Sequence, residues 1–239
     1  MTRQERVTRV LVELADTLVV GFDVIDFLHT LVERSLELLA ADAAGLMLAD
    51  QQGHLEVVAS SSEETRLLEL FELQNRDGPC LDAFRQGTVV DSEDLLFDFD
   101  RWPTFAPRAV DVGFRSVYSI PLKLRSQVIG ALNLLRIESG RLDERDAMLL
   151  GAMADIATVG VLQERFATAS TATATGLQIA LNSRIRIEQA KGILSERHDV
   201  SVDRAFEALR THARRRGERL TEVALDVVQR HIDIDPASH

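Results

Sequence analysis

Basic side chains are concentrated in residues 184–219 of this 239-residue chain. The segment holds ten Lys and Arg residues against six Asp and Glu residues, a net charge of +4. This density of cations attracts phosphate groups; the alternative is that the charges only solvate helix surfaces. The candidate phosphate-binding residues are Arg184, Lys191, Gly192, Arg197, Arg210, Arg214, Arg215 and Arg219.

Two spacings place these cations on common helix faces. Arg184 and Lys191 are seven residues apart, and Arg210 and Arg214 are four apart, so each pair shares one face of a helix. Gly192 has no side chain, which allows either a nucleic acid or a packed helix to approach the backbone closely. The segment has few aromatic residues, so base stacking is expected to be a minor part of any nucleic-acid contact.

A second group of residues has the chemistry of a sensor. Cys80 follows Gly-Pro at a predicted helix start, where a lowered thiol pKa would make it a redox or ligand-sensing group; a structural cysteine is the alternative. Trp102, Phe105 and Tyr118 either line a small-molecule pocket or pack a loop against a sheet. Aromatic residues make up only 5% of the chain, so their concentration here favours a pocket.

Other chemistry is not indicated. The sequence has no glycine-rich phosphate loop, no nucleophile elbow and no zinc-binding spacing among its six histidines. The carboxylates of Asp91, Glu93 and Asp94 are explained as well by surface acidity as by a metal site. We therefore predict no catalytic residue, no metal and no cofactor beyond an unknown small-molecule ligand, and we expect a protein that is not an enzyme.

The composition is that of a globular protein, with 46% apolar and 27% charged residues. No uninterrupted apolar run approaches the roughly 20 residues of a membrane span, and the first residues lack the apolar core of a signal peptide. A single cysteine excludes an intrachain disulfide. These features predict a cytoplasmic protein.

The periodicity of apolar residues in the first 166 residues predicts an antiparallel sheet flanked by helices. Two amphipathic helices precede a hairpin around 45–60, with Asp23 as the expected N-cap of the second helix. A polar helix (63–74), a short helix ending at Gly87, two paired strands around 116–135 and a helix over 142–167 follow. The stretch 91–111 is the least regular. The fold class is therefore α+β.

The motifs of this acidic part, whose first 169 residues have a net charge of −12, resemble a GAF domain. The resemblance is carried by Gly113-Phe-Arg-Ser-Val-Tyr-Ser-Ile-Pro-Leu and by Ile129-Gly-Ala-Leu-Asn-Leu. The segments that begin at Asp77 and Arg101 are similar to GAF domains of actinobacterial regulators. The resemblance implies a sheet with one face roofed to form a ligand pocket.

Three helices with clear punctuation are predicted after a Thr/Ala-rich linker at 167–176, which we expect to be partly helical. The first covers about 176–197. Ser201 is the expected N-cap of the second helix, which ends at Gly217. Thr221 is the expected N-cap of the third, with Leu220 and Leu225 as a hydrophobic staple. These three helices form an all-α module over 177–235.

This module resembles an ANTAR domain, the output module of transcription antitermination regulators. The resemblance is carried by Ser183-Arg-Ile-Arg-Ile-Glu-Gln-Ala-Lys-Gly-Ile-Leu-Ser-Glu-Arg and by Ser201-Val-Asp-Arg-Ala-Phe-Glu-Ala-Leu-Arg. It implies a homodimer that binds paired RNA stem-loops, with Lys191 in the family motif. The chain is thus expected to be a ligand-responsive RNA-binding regulator.

Two other classes of function stay open at this stage. A DNA-binding regulator would place residues 201–216 in a groove of the duplex as a helix-turn-helix. A sensor-only dimer would use the C-terminal helices for assembly alone. Competition between structured RNA and duplex DNA at matched salt distinguishes these classes.

Overall fold

The computed structural model describes residues 2–18, 23–50, 52–169 and 176–236. Contacts divide the chain into two compact units. The first unit consists of Met1–Leu18 and Leu28–Gln163, and the second of Val19–Phe27 and Glu164–His239. The expected linker lies mostly outside the described residues.

The first unit is built on a five-stranded antiparallel sheet with the strand order β2-β1-β5-β4-β3. Helices precede, interrupt and follow the strands, which confirms the predicted α+β class. The elements are α1 Arg3–Thr17, α2 Val24–Leu38, β1 Ala43–Ala49, β2 Leu55–Ser60, α3 Glu63–Asn75, α4 Pro79–Gln86, β3 Val90–Ser92, a 3-10 turn Leu95–Phe97, α5 Phe105–Val112, β4 Ser116–Leu124, β5 Gln127–Arg136 and α6 Glu144–Ala169.

Alternation along the strands sends side chains to two different layers. In β1, Ala43 and Met47 belong to a hydrophobic core shared with α3, α4 and α5. Successive side chains on a strand point to opposite faces. Leu46 and Leu48 therefore point to the other face, and both are fully buried. The inner strand β1 is buried on both sides, which explains why its sequence is apolar throughout.

The helix termini follow the expected signals in most places. Asp23 Oδ1 accepts hydrogen bonds from the backbone N–H groups of Ile25 and Asp26 at the start of α2, as predicted. Gly87 ends α4 in the left-handed conformation. The helix α5 was not predicted, because residues 91–111 read as irregular.

The stretch Glu144–Glu164 of α6 is long and apolar enough to cross a membrane, with a mean hydropathy of 1.3. Half of that window is buried within the protein. Leu150, Met153 and Ala157 are fully buried, as in the core helix of a globular domain. Length and composition alone are therefore weak evidence for a membrane span.

The second unit contains α7 Gly176–His198, α8 Val202–Arg216 and α9 Leu220–Val228. Ser201 caps α8 by accepting a hydrogen bond from the Arg204 N–H, and Gly217 ends it, both as predicted. The core of these three helices consists of buried apolar side chains, namely Ile187, Ala190, Leu194, Ala205, Leu209, Ala213, Leu220, Val223, Ala224 and Val227.

The predicted start of α9 was wrong. Arg219, not Thr221, is the N-cap, and the Arg219 side chain makes no capping hydrogen bond. Leu220 is the first residue of the helix, so it does not precede a cap in a hydrophobic staple. The Thr221 N–H instead donates to Asp23 Oδ2 at 3.0 Å.

Candidate functional site

Lys191 and Arg210 are both buried against the ring of Phe206. The Lys191 Nζ lies 5.3 Å and the Arg210 Cζ 5.6 Å from the centre of that ring. Lys191 Nζ also donates to Glu188 Oε1 at 3.0 Å, and its side chain is only 8% exposed. Cation–π contact and ion pairing thus fix both charges inside the helix packing. The sequence had placed these two cations on a surface open to phosphate.

Arg210 is held by an aspartate near the N-terminus of α2. Its Nε donates to Asp26 Oδ1 at 2.8 Å, and its side chain is 1% exposed. Arg214 donates to the same oxygen at 3.3 Å, which agrees with the shared helix face predicted for these two arginines. A buried guanidinium needs such a partner because its desolvation is costly. Asp26 therefore stabilises the second unit.

Asp23 links two helix starts within the second unit. One carboxylate oxygen caps α2, and the other accepts the Thr221 N–H in the first turn of α9. Both bonds satisfy backbone donors that have no partner inside their own helices. Asp23 thus takes part in the packing of α9, which the sequence did not indicate.

The exposed cations of the second unit form a different set from the predicted one. Of the predicted residues, Arg197, Arg214, Arg215 and Arg219 are exposed and Arg184 is half-buried. Arg197 donates to Asp233 at 2.7 Å. Arg186, Arg204 and Arg216 are also exposed, although they were not among the predicted contacts. The charge of these three arginines within the basic segment 184–219 is the sequence signal that could have found them.

Gly192 lies on an open surface of α7. A Cβ atom built at this position would meet no atom within 4 Å, and the residue is exposed. Packing against another helix of the described chain is therefore not the reason for this glycine. The backbone there is accessible to a partner.

The sensor candidates Cys80, Trp102 and Phe105 belong to one packed core. All three are at most 1% exposed. The Trp102 and Phe105 rings meet edge to face at 6.3 Å, and Trp102 Nε1 donates to Asp82 Oδ2 at 2.9 Å. In this structure these side chains fill the space between helices and sheet.

Tyr118 does not join the other candidates. Its neighbour Val117 lies in the core beneath α3, α4 and α5, so Tyr118 points to the opposite face of β4. The side chain is half-buried, and burial with the nearby Asp91 raises the pKa of its hydroxyl. The four predicted pocket residues thus lie on two faces of the sheet.

Burial gives Cys80 the opposite of the expected reactivity. Burial away from water is the main cause that raises the pKa of the thiol well above its usual range, and the nearby carboxyl groups of Glu72 and Glu69 act in the same direction when they are ionised. A thiol in such surroundings is protonated and unreactive at neutral pH. The start of α4 therefore does not activate Cys80.

A buried polar cluster surrounds this thiol and was missed from the sequence. It consists of Glu69, Glu72, Cys80, Ser119 and Asn133, all at most 1% exposed. The Ser119 hydroxyl donates to Asn133 Oδ1, and the Asn133 side chain contacts Cys80. The carboxylate of Glu69 lies against Gly45, where any Cβ would clash with it.

Glu72 of the polar cluster also has a raised pKa. Its Oε1 accepts a hydrogen bond from the Leu81 N–H at 2.9 Å. Burial raises its pKa to about 8, and the nearby Asp82 and Asp77 also favour the neutral acid. Glu72 is therefore protonated at neutral pH.

The residues described contain no group of three or more His, Cys, Asp or Glu side chains arranged to hold a metal ion. Asp94 instead forms an ion pair with Arg115, and Glu93 one with Arg141. The Arg115 guanidinium lowers the pKa of Asp94. Ion pairing thus accounts for these two carboxylates of the irregular segment.

Family models match both parts of the chain. The GAF domain model matches residues 23–161, and the ANTAR domain model matches residues 175–228. The chain therefore belongs to the GAF domain family and has a GAF domain followed by an ANTAR domain, as the sequence motifs indicated. A search of curated proteins gives no match.

Solved structures show the same fold at low sequence identity. The GAF domain of a phosphoenolpyruvate-protein phosphotransferase from Coxiella burnetii is 17% identical with a TM-score of 0.55, covering 69% of this chain and 98% of that chain. The corresponding Acinetobacter domain is 13% identical with a TM-score of 0.52, covering 68% and 97%. Free methionine-R-sulfoxide reductase from Neisseria meningitidis is 22% identical with a TM-score of 0.50, covering 66% and 87%.

The two domains define a class of protein. An ANTAR domain implies an RNA-binding antitermination regulator, and a GAF domain implies small-molecule sensing. The combination is that of a regulatory protein in signal transduction.

Proposed function

We propose that this protein is a ligand-responsive regulator that binds paired RNA stem-loops as a homodimer and acts by transcription antitermination. It works in the cytoplasm, has no enzymatic activity, and uses the GAF domain (1–166) to control the ANTAR domain (177–235) through the segment 167–176. The observation that carries the proposal is the exposed arginine group Arg214–Arg216 and Arg219 on a matched ANTAR domain.

The arginine group has the chemistry that RNA recognition requires. Guanidinium groups bind phosphate oxygens through charge and paired hydrogen bonds. Gly192 offers an open backbone on the same domain. Lys191 and Arg210 support the surface indirectly in this proposal, because they hold α7 and α8 in place around Phe206.

The test is fluorescence anisotropy of the full chain with a labelled RNA that carries two adjacent stem-loops. Competitors are the same RNA unlabelled, unstructured RNA and duplex DNA at matched salt. We expect structured RNA to compete at least tenfold better than duplex DNA. Equal competition by duplex DNA favours a helix-turn-helix regulator, and no salt-dependent binding favours a sensor-only dimer.

The double variant Arg215→Gln/Arg219→Gln probes the arginine group. Two lost phosphate contacts lower the slope of log affinity against log salt by roughly 1.4 to 1.8. Arg108→Gln is the matched control, since Arg108 is an exposed arginine of the first unit. An unchanged affinity and salt slope in the double variant would show that RNA binds elsewhere.

A further inference from the structure

A cleft of about 460 Å³ opens in the first unit where the β1–β2 hairpin meets α3 and α4. Its floor is apolar and consists of Leu55, Leu73, Leu81 and Phe84, and Arg76 and Arg85 line it as well. Small-molecule sites in proteins commonly have this size and this combination of apolar walls with a few polar groups. The cleft is separate from the arginine group of the ANTAR domain.

The two arginines of the cleft are chemically available. In the described part of the chain, neither guanidinium has a hydrogen bond or an ion pair to a protein group. Other arginines of the same unit, such as Arg34, Arg66 and Arg115, are paired with carboxylates. Two unpaired guanidiniums at one cleft of an acidic domain thus define a local site for an anion.

Arg76 is held in a conformation that is unfavourable for its residue type. Its φ of 55° lies in the left-handed region, where it ends α3 and its N–H bonds the Leu73 carbonyl oxygen. Glycine or asparagine takes this position with less strain. This end of α3 places the Arg76 side chain at the cleft.

A buried hydrogen bond fixes the backbone of Leu81 in the wall of the cleft. Leu81 lines the cleft, and its N–H donates to the buried Glu72 in the polar cluster. His54 also lines the cleft, but its Nδ1 lies 3.4 Å from Asp50 Oδ2, so this side chain already has a carboxylate partner. A ligand thus meets a pre-formed apolar wall with positive charge supplied by Arg76 and Arg85.

We propose that this cleft is the sensor site and that it binds a small organic carboxylate with an apolar body. The inference rests on the proposed function, because it names the ligand class of the GAF domain. The carboxylate pairs with the two guanidiniums, for which bidentate hydrogen bonding gives geometric selectivity. The apolar body packs on Leu55, Leu73, Leu81 and Phe84, which releases water from that surface.

The experiment is isothermal titration calorimetry of the full chain with 4-phenylbutyrate as the probe and 4-phenylbutanamide as its neutral counterpart. We expect the carboxylate to bind roughly tenfold or more tightly than the amide, since a charge-assisted contact is lost in the amide. Equal binding of the two probes, or no binding of either at millimolar concentration, would overturn the proposal.

Three variants locate the site. Arg85→Gln and Arg76→Asn are each expected to weaken carboxylate binding about tenfold, and asparagine keeps the left-handed backbone accessible. Arg108→Gln, the same type of loss at an exposed position outside the cleft, is expected to bind as the wild type does. Variants that retain both affinity and preference for the carboxylate would place the site elsewhere. Thermal unfolding of each variant verifies that it is folded.

RNA affinity without added probe separates this proposal from the proposed function. Wild-type chain that binds stem-loop RNA but not the carboxylate contradicts the cleft and leaves RNA regulation standing. Wild-type chain that binds the carboxylate through Arg76 and Arg85 but not RNA contradicts the proposed function and supports the cleft as a ligand site.

Discussion

Glu72→Gln is expected to remove the fall in stability of the GAF domain between about pH 4.5 and about pH 8 that ionisation of Glu72 causes. The glutamine amide has the shape of the neutral acid, and its oxygen can still accept the Leu81 N–H hydrogen bond. It lacks the titrating proton. The variant therefore tests directly whether Glu72 is protonated inside the folded domain.

The sign and size follow from the raised pKa. Glu72 titrates near 4.5 in the unfolded chain and at about 8 in the folded domain. Between these values the folded state holds a proton that the unfolded state has released, so stability falls as pH rises from about 4.5 to about 8 and is level above that. The total loss of stability between these pH values is about 5 kcal/mol as an upper bound, and about 3 kcal/mol of it has already occurred at pH 7.

The measurement is urea unfolding at several pH values, followed by the fluorescence of Trp102. This tryptophan is the only one in the chain and is buried in the first unit, so it reports on the GAF domain. We expect Glu72→Gln to match the wild type near pH 5 and to be several kcal/mol more stable near pH 8. Glu64→Gln, at an exposed position on the same helix, is the control.

Parallel stability curves of Glu72→Gln and wild type between about pH 5 and pH 8 would refute the reasoning. Such a result would mean that Glu72 is ionised in the folded domain and that the surroundings compensate its charge. A destabilised variant at all pH values would instead show that the amide is not accommodated beside Gly78.

Three further predictions concern the second unit and assembly. Asp26→Asn removes the negative charge that pairs with the buried Arg210 and is expected to destabilise the second unit by about 2 kcal/mol. Hydrogen exchange of the α8 amides measures this loss. Unchanged protection in α8 would contradict the role of this ion pair. Lys191→Met keeps the apolar stem over Phe206 but loses the ion pair with Glu188. We expect it to lower the stability of the second unit by about 1 kcal/mol and to leave RNA affinity within about threefold of the wild type. A tenfold loss of RNA affinity in a stable variant would make Lys191 a direct contact. Light scattering at tens of micromolar, a range chosen from typical affinities, is expected to give twice the chain mass of 26.6 kDa, and a monomer mass would contradict the homodimer.

Local signals predicted most of the secondary structure because they depend on neighbouring residues. Asp23, Ser201 and Gly217 act at helix ends as their side chains and backbone freedom require. The helix α5 was not predicted because the stretch 91–111, which holds Pro103 and Pro107, showed no regular pattern. In the structure Pro107 is the third residue of α5, in the first turn, where a missing N–H costs nothing.

The environment of the charged residues could not be predicted from local patterns. Glu69 and Glu72 belong to the helix predicted to be polar, yet both are buried. Arg210 read as a surface cation, yet Asp26, 184 residues earlier in the chain, holds it inside. Such contacts depend on tertiary packing, and the charge of a residue alone does not reveal its partner.

The Asp26–Arg210 ion pair also constrains the order of events during protein synthesis. The two residues are 184 positions apart, and the segment around Asp26 is needed by helices that lie at the end of the chain. At about 5 to 20 residues per second, roughly 10 to 40 seconds separate their synthesis. During this time Asp23 and Asp26 lack their final partners. The C-terminal helices complete their packing only after nearly the whole chain has been made.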